Sequence, residues 1–318
     1  MDRPQMTSVF EDQGKPESPS RARKRIHITG TPRSGTTLLL SLMLACFDID
    51  GGVTDERRLW RTPPKGKRVV CTKFPDETDF SARMLKFDPD LHVIFILRDP
   101  RDVVVSRSHI APDRYLTNLR VWRSNLRAAK PYFGHRRFHL VHYNELVAEP
   151  DRVQARLAAD LGFVKVQRPF SRFLELAENR DGAWLKSMHM QLRPVSADSL
   201  GHWHAHLPRV KGQMLLHGDI SEDLIEMGFE RDRTWLTALE GVLPDVRASA
   251  ARDQGSLDKR VTRVWRNGLG TIIYLSRRYL GIELSQPSGT WRNSGQAQSA
   301  ANENSSENLR ELRKIGRA

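Results

Sequence analysis

The chain has 318 residues, enough for one large domain or two small ones around a sizeable core. Lys and Arg outnumber Asp and Glu by 51 to 38, a formal charge of +13, and a hydrophobic content of 39% excludes a wholly disordered chain. That charge asks for an anionic partner without choosing among phosphate or sulfate ligands, nucleic acid and acidic lipid.

Residues 1–24 are polar and rich in Pro, Ser and charge, which predicts a disordered basic arm rather than a cleaved leader. A short apolar strand is expected at 26–29, followed by a glycine-containing turn and a Leu-rich helix over 37–47. Further strands are expected at 69–73, 92–97 and 138–142, with helices around 78–86, 100–107 and 116–130. This alternation predicts an α/β fold of three layers, a central parallel sheet flanked by helices. Such sheets bind ligands beyond the carboxyl ends of their strands, so the loops after strands are where chemistry is sought. A helix over 152–161 should stop at Gly162, and shorter helices are expected near 170–177 and 219–227. The main domain is placed at 25–233, a detached helical extension at 234–281, and a disordered tail, dominated by Ser, Asn, Gln and Gly, at 282–318.

Two cysteines, Cys46 and Cys71, make no disulfide framework and fit no metal-ligand spacing, so both are expected to be small buried hydrophobes in a reducing compartment. No apolar run reaches the roughly 18 residues needed to span a bilayer.

Gly30-Thr31-Pro32-Arg33-Ser34-Gly35-Thr36-Thr37 keeps the frame of the nucleotide-binding loop G-x-x-x-x-G-K-[ST], but Thr36 stands where the lysine belongs. Placed between a strand and a helix, successive N–H groups and the helix N-terminus form a concave anion site. A nucleoside triphosphatase uses the lysine on the β- and γ-phosphates. Here Arg33 offers a planar fork of donors instead, suited to a tetrahedral oxyanion on a shorter or less charged phosphate chain. Farther on, Ile96-Leu97-Arg98-Asp99-Pro100-Arg101-Asp102-Val103-Val104-Val105-Ser106-Arg107 ends a strand in Arg98 and starts a helix at Pro100. Arg98 and Ser106 can then converge on one anion at the same sheet edge. The plainer reading of this second block is a charged turn with Asp99 capping a helix.

The first block resembles the 5′-phosphosulfate loop of the sulfotransferases that use 3′-phosphoadenosine 5′-phosphosulfate (PAPS), most closely the carbohydrate and tyrosyl-protein branch in its bacterial form. The second resembles that family's 3′-phosphate motif, an Arg ending a strand with a Ser eight residues on. Tyr143-Asn144-Glu145-Leu146, leading to Leu161-Gly162, resembles a third family segment. The resemblance implies that Arg33, Ser34, Gly35, Thr36 and Thr37 hold the phosphosulfate and that Arg98 and Ser106 hold the 3′-phosphate. Tyr143 either packs near the adenine or fills the core.

By the same resemblance Lys73, in Cys71-Thr72-Lys73-Phe74-Pro75, matches the catalytic lysine that supports the departing phosphate oxygen; otherwise it is a solvated strand-end lysine. The cytosolic branch places a His base two residues after that lysine, where this chain has Pro75. The tyrosyl-protein branch uses a Glu in a Glu-x-Arg pattern after the first helix, and Asp55-Glu56-Arg57-Arg58 occupies a comparable loop. Glu56 is the first choice for general base, Asp55 the second and His109 a third, with Arg57 or Arg58 orienting the carboxylate. Arg209 and Lys211 are further candidates for cofactor or acceptor contact. Sulfuryl transfer has no intrinsic need for a metal, and His202-Trp203-His204-Ala205-His206, though it invites a metal reading on a strand, lacks a nearby acid or thiol partner.

Residues 258–281 combine Val261, Val264, Trp265, Leu269, Ile272 and Ile273 with Lys259, Arg260, Arg263, Arg266, Arg277 and Arg278. A basic amphipathic helix of this kind suits peripheral contact with an anionic membrane surface, or docking on the core or a second subunit. Taken together, the expected protein is a cytoplasmic PAPS-dependent transferase acting on a hydroxyl of a glycan, glycolipid or protein. A tyrosyl-protein sulfotransferase and a nucleotide kinase-like enzyme are the alternatives. Nucleic acid is not expected as a partner, since the chain has no zinc-finger spacing or aromatic RNA-binding motif.

Overall fold

The computed structural model describes residues 24–61, 63, 66–107, 113–175, 195–250 and 257–282, the side chains of 53–55, 257–264 and 266 excepted. The expected arm and tail fall on residues 1–23 and 283–318, outside the described residues.

Strand β1 (Lys24–Gly30) lies at the centre of a five-stranded sheet. It pairs in parallel with β3 (Val69–Lys73) on one side and β4 (Leu91–Leu97) on the other. The edges are β2 (Gly51–Glu56), paired with β3, and β5 (Phe138–His142), paired with β4, again in parallel. The fold is therefore the expected three-layer α/β architecture. Because β1 has later strands on both sides, strand order reverses across it, and the loops after β1, β3 and β4 meet at one carboxyl edge.

Every residue of β4 is buried, as a parallel strand covered on both faces requires. Alternate side chains divide between two cores. Ile26, Ile28, Ile94 and Ile96 face Leu39, Leu42 and Met43 of α1 (Thr36–Cys46) and Leu157 of α6 (Pro150–Leu161), the helix that follows α5 (Tyr143–Ala148). Val93, Phe95 and Leu97 face Phe80 of α2 (Thr78–Met84) and Trp122 and Leu126 of α4 (Leu119–Ala129). Helix α1 is apolar almost all round because it is a buried layer. Leu42→Ala in that layer is expected to cost about 2–5 kcal/mol. A third cluster gathers around α3 (Pro100–Val105), where Val104 and Val105 meet Trp203, Trp235 and Val210 of α7 (Leu207–His217), and Leu224 of α8 (Ser221–Glu226).

Caps account for where the helices differ from expectation. Asn118 accepts from Val121 N–H and delays α4 to Leu119, and Asp99 accepts from Arg101 N–H at the start of α3. Ser106 is extended, so α3 stops at Val105, and Gly162 ends α6 in the left-handed region as expected. Strand β2 escapes the periodicity because two glycines and two acids occupy its six positions. Of the helix expected over 170–177, Phe170–Arg172 forms a 3-10 turn, and residues 176–177 lie outside the described residues. His202–His206 is also a 3-10 helix, so alternate histidines do not share a strand face, and among the described residues no group of three His, Cys, Asp or Glu is placed to hold a metal.

The C-terminal helix α9 (Leu257–Leu275) was expected to be detached, yet it is fastened to the domain. Ile273 and Tyr274 are buried, Tyr274 donates its hydroxyl to Asp88, and Arg278 pairs with Asp88 and Asp90 just before β4. Both cysteines are buried and their thiols pushed up by desolvation, Cys46 to about 12. Among the described residues no helix is long and apolar enough to cross a membrane.

Candidate active site

The loop between β1 and α1 is built by three residues in the positive-φ region. Gly30 (φ 155°) and Gly35 (φ 101°) leave no room for a side chain: a Cβ on Gly30 would lie 2.6 Å from the Ile96 carbonyl, and one on Gly35 2.5 Å from the Tyr143 ring. Arg33 itself adopts φ 76°, an unusual conformation for a non-glycine residue and one that clusters at functional sites. Ser34 N–H closes the turn on the Thr31 carbonyl at 3.0 Å, and Asp76 N–H holds the Gly30 carbonyl at 2.8 Å. The first N–H groups of α1 have no partner within the helix and carry its positive dipole end, so an anion is stabilised there.

Arg33 donates from Nε to Ser106 Oγ at 2.7 Å, which carries its side chain across to the end of α3. Arg98, at the end of β4, donates to the Arg33 carbonyl at 3.2 Å and to the Ser199 carbonyl at 2.5 Å. Its guanidinium lies 4.3 Å from the centre of the Tyr143 ring, a cation–π contact, and 4.0 Å from Asp102. Burial and then the charge of Asp99 push the Asp102 carboxyl up, opposed by Arg98 and by the N–H groups of Trp203 and Gly201. The sheet edge thus brings Arg33, Arg98 and Ser106 together.

Tyr143 is only 7% exposed, its hydroxyl 2.8 Å from Ser199 Oγ, its ring filling the space beneath Gly35 and beside Arg98. Of the two roles open to it, this placement favours support of the loop from the core.

On the other side of the loop, β2 and β3 align Glu56 with Lys73. Lys73 Nζ donates to Glu56 Oε1 at 3.1 Å, the lysine side chain 5% exposed and the glutamate 50%. Glu56, Pro75, Leu116, Arg98 and the loop residues Pro32, Arg33, Gly35, Thr36 and Thr37 line one cavity of about 290 Å³. A larger cleft of about 440 Å³ lies elsewhere, between α4 and the end of α7, and shares none of these residues. The Asp55 side chain and His109 lie outside the described residues.

Several candidates are turned to other work. Arg58 pairs with Glu77 at 3.3 Å and stacks on Phe74 at 4.1 Å, so it braces the segment after Glu56 from behind. Glu77 also accepts from Leu59 N–H and faces buried His27 at 3.3 Å. Arg209 is buried against Tyr115 and donates to the carbonyls of Val104, Thr117 and Arg247, and Lys211 donates to the Leu239 carbonyl; both serve packing. Conversely, sequence reasoning missed Asp76, Asn125 and Ser199. Asp76, at φ 63°, locks the first loop to the second and accepts from Asn125 Nδ2 at 2.9 Å. An Asp following Pro75 is a turn signal that could have marked it. Ser199 arrives from a distant segment with no pattern of its own.

Residues 56–164 match a family model described as the sulfotransferase family. Over this stretch, about a third of its length, the chain is similar to that family. The matched stretch takes in Glu56, Lys73, Arg98, Ser106 and Tyr143, while the loop at Gly30–Thr37 lies before it. Among solved structures, the chain is similar to the sulfotransferase domain of a Synechococcus olefin synthase, at 16% identity over 61% of this chain and 92% of that one (TM-score 0.39). It is also similar to a mouse sulfotransferase complexed with PAP, at 16% identity over 70% and 90% of the two chains (TM-score 0.42). No curated protein matches the sequence.

Proposed function

We propose that this protein is a sulfotransferase that moves the sulfuryl group of PAPS to a hydroxyl of a carbohydrate or glycolipid. The observation that carries the proposal is Glu56, on the wall of the cavity it shares with the phosphate loop and Arg98 and paired from behind with nearly buried Lys73. The residues present fit the donor. Ser34 Oγ and Arg98 Nε are buried at this edge without a hydrogen-bond partner, and buried polar groups of that kind call for one. When bound, PAPS supplies a sulfuryl group already activated by a phosphate leaving group.

The chain's own residues then divide the work. The N–H groups of Gly35 to Thr37, with the Ser34, Thr36 and Thr37 hydroxyls, bind the phosphosulfate end. Arg98 and Ser106 bind the 3′-phosphate, and Arg33, held between loop and Ser106, supplies a fixed cation to both ends. Lys73 brings a nearly buried positive charge to the leaving-group side. By occupying Oε1 of Glu56 it leaves Oε2 to take the proton of the acceptor hydroxyl. No step requires a metal.

Arg33, Arg98, Thr36 and Thr37 of the cavity wall are taken by the donor, so the residues left to meet the acceptor are Glu56, Pro75 and Leu116, and the sugar class rests on the resemblance of the loop at Gly30–Thr37 to the carbohydrate branch. Residues 25–233 are read as the transferase unit, with 234–281 an extension, and the enzyme as cytoplasmic. The test is calorimetric titration with 3′-phosphoadenosine 5′-phosphate in EDTA beside ATP, then sulfate transfer from PAPS to sugar, glycolipid and tyrosyl-peptide acceptors. Metal-free binding of the bisphosphate in preference to ATP, with transfer to the sugars, is expected. Preference for Mg-ATP, or transfer to tyrosine alone, overturns the reading.

A further inference from the structure

Helix α9 presents two different faces. Its inner side is committed: Ile273 and Tyr274 are buried, Gly270 abuts the Trp60 ring, Asn267 bonds Asp79 at 3.3 Å, and Arg277 donates to the Trp60 carbonyl at 2.6 Å. Its outer side carries Trp265, Leu269 and Ile272 at helical spacing, continued by Tyr279 and Leu280 in the turn Ser276–Leu280. These are exposed, Trp265 by 75%, Ile272 by 57% and Leu280 by 68%. A helix pinned this firmly on one side cannot roll its apolar stripe inward, and a contiguous exposed stripe marks an interaction surface.

We propose that this outer face lies on an anionic lipid surface and holds the enzyme there. Three observations favour lipid over other occupants. The helix sequence carries Lys259, Arg260, Arg263 and Arg266 against a single acid, Asp258, in a chain of net charge +13, so its field attracts anionic headgroups. The same basic residues disfavour pairing with a second copy through a two-fold axis, which would bring two cationic helices side by side. The chain's own tail, 286–318, is dominated by Ser, Asn, Gln and Gly and offers little apolar surface to cover the stripe. Trp265, with an apolar body and a polar tip, is an aromatic type that settles at a membrane–water boundary, and Tyr279, whose hydroxyl donates to the Phe87 carbonyl, holds the end of the stripe to the domain.

The experiment is co-sedimentation of the full chain with vesicles of equal parts phosphatidylglycerol and phosphatidylcholine, and with phosphatidylcholine alone. It is run on the wild type and on Trp265→Glu/Ile272→Glu, with the oligomeric state measured by light scattering. The wild type is expected to bind the anionic vesicles and release in high salt, while the double variant loses at least about tenfold in partitioning and keeps its affinity for 3′-phosphoadenosine 5′-phosphate. Retained nucleotide affinity shows that the variant is folded and keeps this test separate from the sulfotransferase reading. Equal vesicle binding by both proteins, binding to neither vesicle, or a wild-type dimer that the double variant breaks would overturn the proposal.

Discussion

Lys73 Nζ sits 3.1 Å from Glu56 Oε1, across the β2–β3 register, with the ammonium nearly buried and the carboxylate half in solvent. A buried ammonium requires a partner, and the partner chosen here is the group that faces the cavity. Glu56→Gln keeps a hydrogen-bond acceptor for Lys73 but cannot take a proton. It should lower kcat by about 10²–10⁴ while 3′-phosphoadenosine 5′-phosphate affinity stays within about twofold. Lys73→Met should lower both. A glutamine variant that retains kcat would remove Glu56 as the base and return attention to Asp55 and His109.

Arg33, Ser106 and Arg98 form a linked set, because Arg33 Nε bonds the Ser106 hydroxyl and Arg98 bonds the Arg33 carbonyl. Charge-assisted contacts of this kind are worth about 1.5–3 kcal/mol each. Arg33→Ala and Arg98→Ala should therefore weaken bisphosphate binding by about tenfold to a hundredfold apiece, and Ser106→Ala by less. The double arginine variant should lose less than the sum, since the Arg98 side chain is anchored on the Arg33 backbone and both side chains serve one ligand. Full additivity in calorimetry would mean that they act on separate ligands.

Much of this site was legible because its chemistry is local. Gly30, Gly35 and Thr37 are spaced by the needs of a loop between strand and helix, and Arg98 with Pro100 marks a strand end and a helix start. What escaped depends on contacts between distant segments. Strand β2 is named by its pairing with β3 and not by its composition of two glycines and two acids. Ser199 meets Arg98 and Tyr143 only after the chain has wrapped past α3. The fate of Arg58, drawn to Glu77 and Phe74, was decided by tertiary neighbours, and so was the fastening of α9 through Tyr274 to Asp88. Spacing identifies charges that can act; it does not say which of them packing has already engaged.

Gly35 and Tyr143 make a steric pair: a Cβ at Gly35 would sit 2.5 and 2.6 Å from two ring carbons of the tyrosine, at φ 101°. Gly35→Ala is expected to destabilise the fold by about 1–3 kcal/mol and to lower bisphosphate affinity, because the loop must move off the ring. Adding Tyr143→Leu should restore part of the melting temperature by removing the clash, though not the backbone strain. Tyr143→Phe, which loses only the contact with Ser199 Oγ, should cost about 0.5–1.5 kcal/mol. If Gly35→Ala melts like the wild type, the left-handed loop is not needed for folding.

Acid should unfold this protein through a buried histidine pair. His92 and His139 stack with ring centres 5.3 Å apart and share an Nδ1–Nε2 contact of 3.0 Å. Burial, then the charge of His139 and that of Lys24 and Arg137, push His92 down to about 3, with Asp90 opposing; burial lowers His139 as well. The unfolded chain, with ordinary histidines near pH 6.5, then binds more protons than the native one between about pH 6.5 and pH 3. Stability is thus fully present above about pH 6.5 and falls as the pH drops through that window. His92→Gln removes one of the two rings and should flatten the fall in melting temperature measured from pH 7 to pH 4, even if it lowers stability at neutral pH. A variant whose melting temperature tracks the wild-type pH profile would show that the carboxylates, and not this pair, set the acid limit.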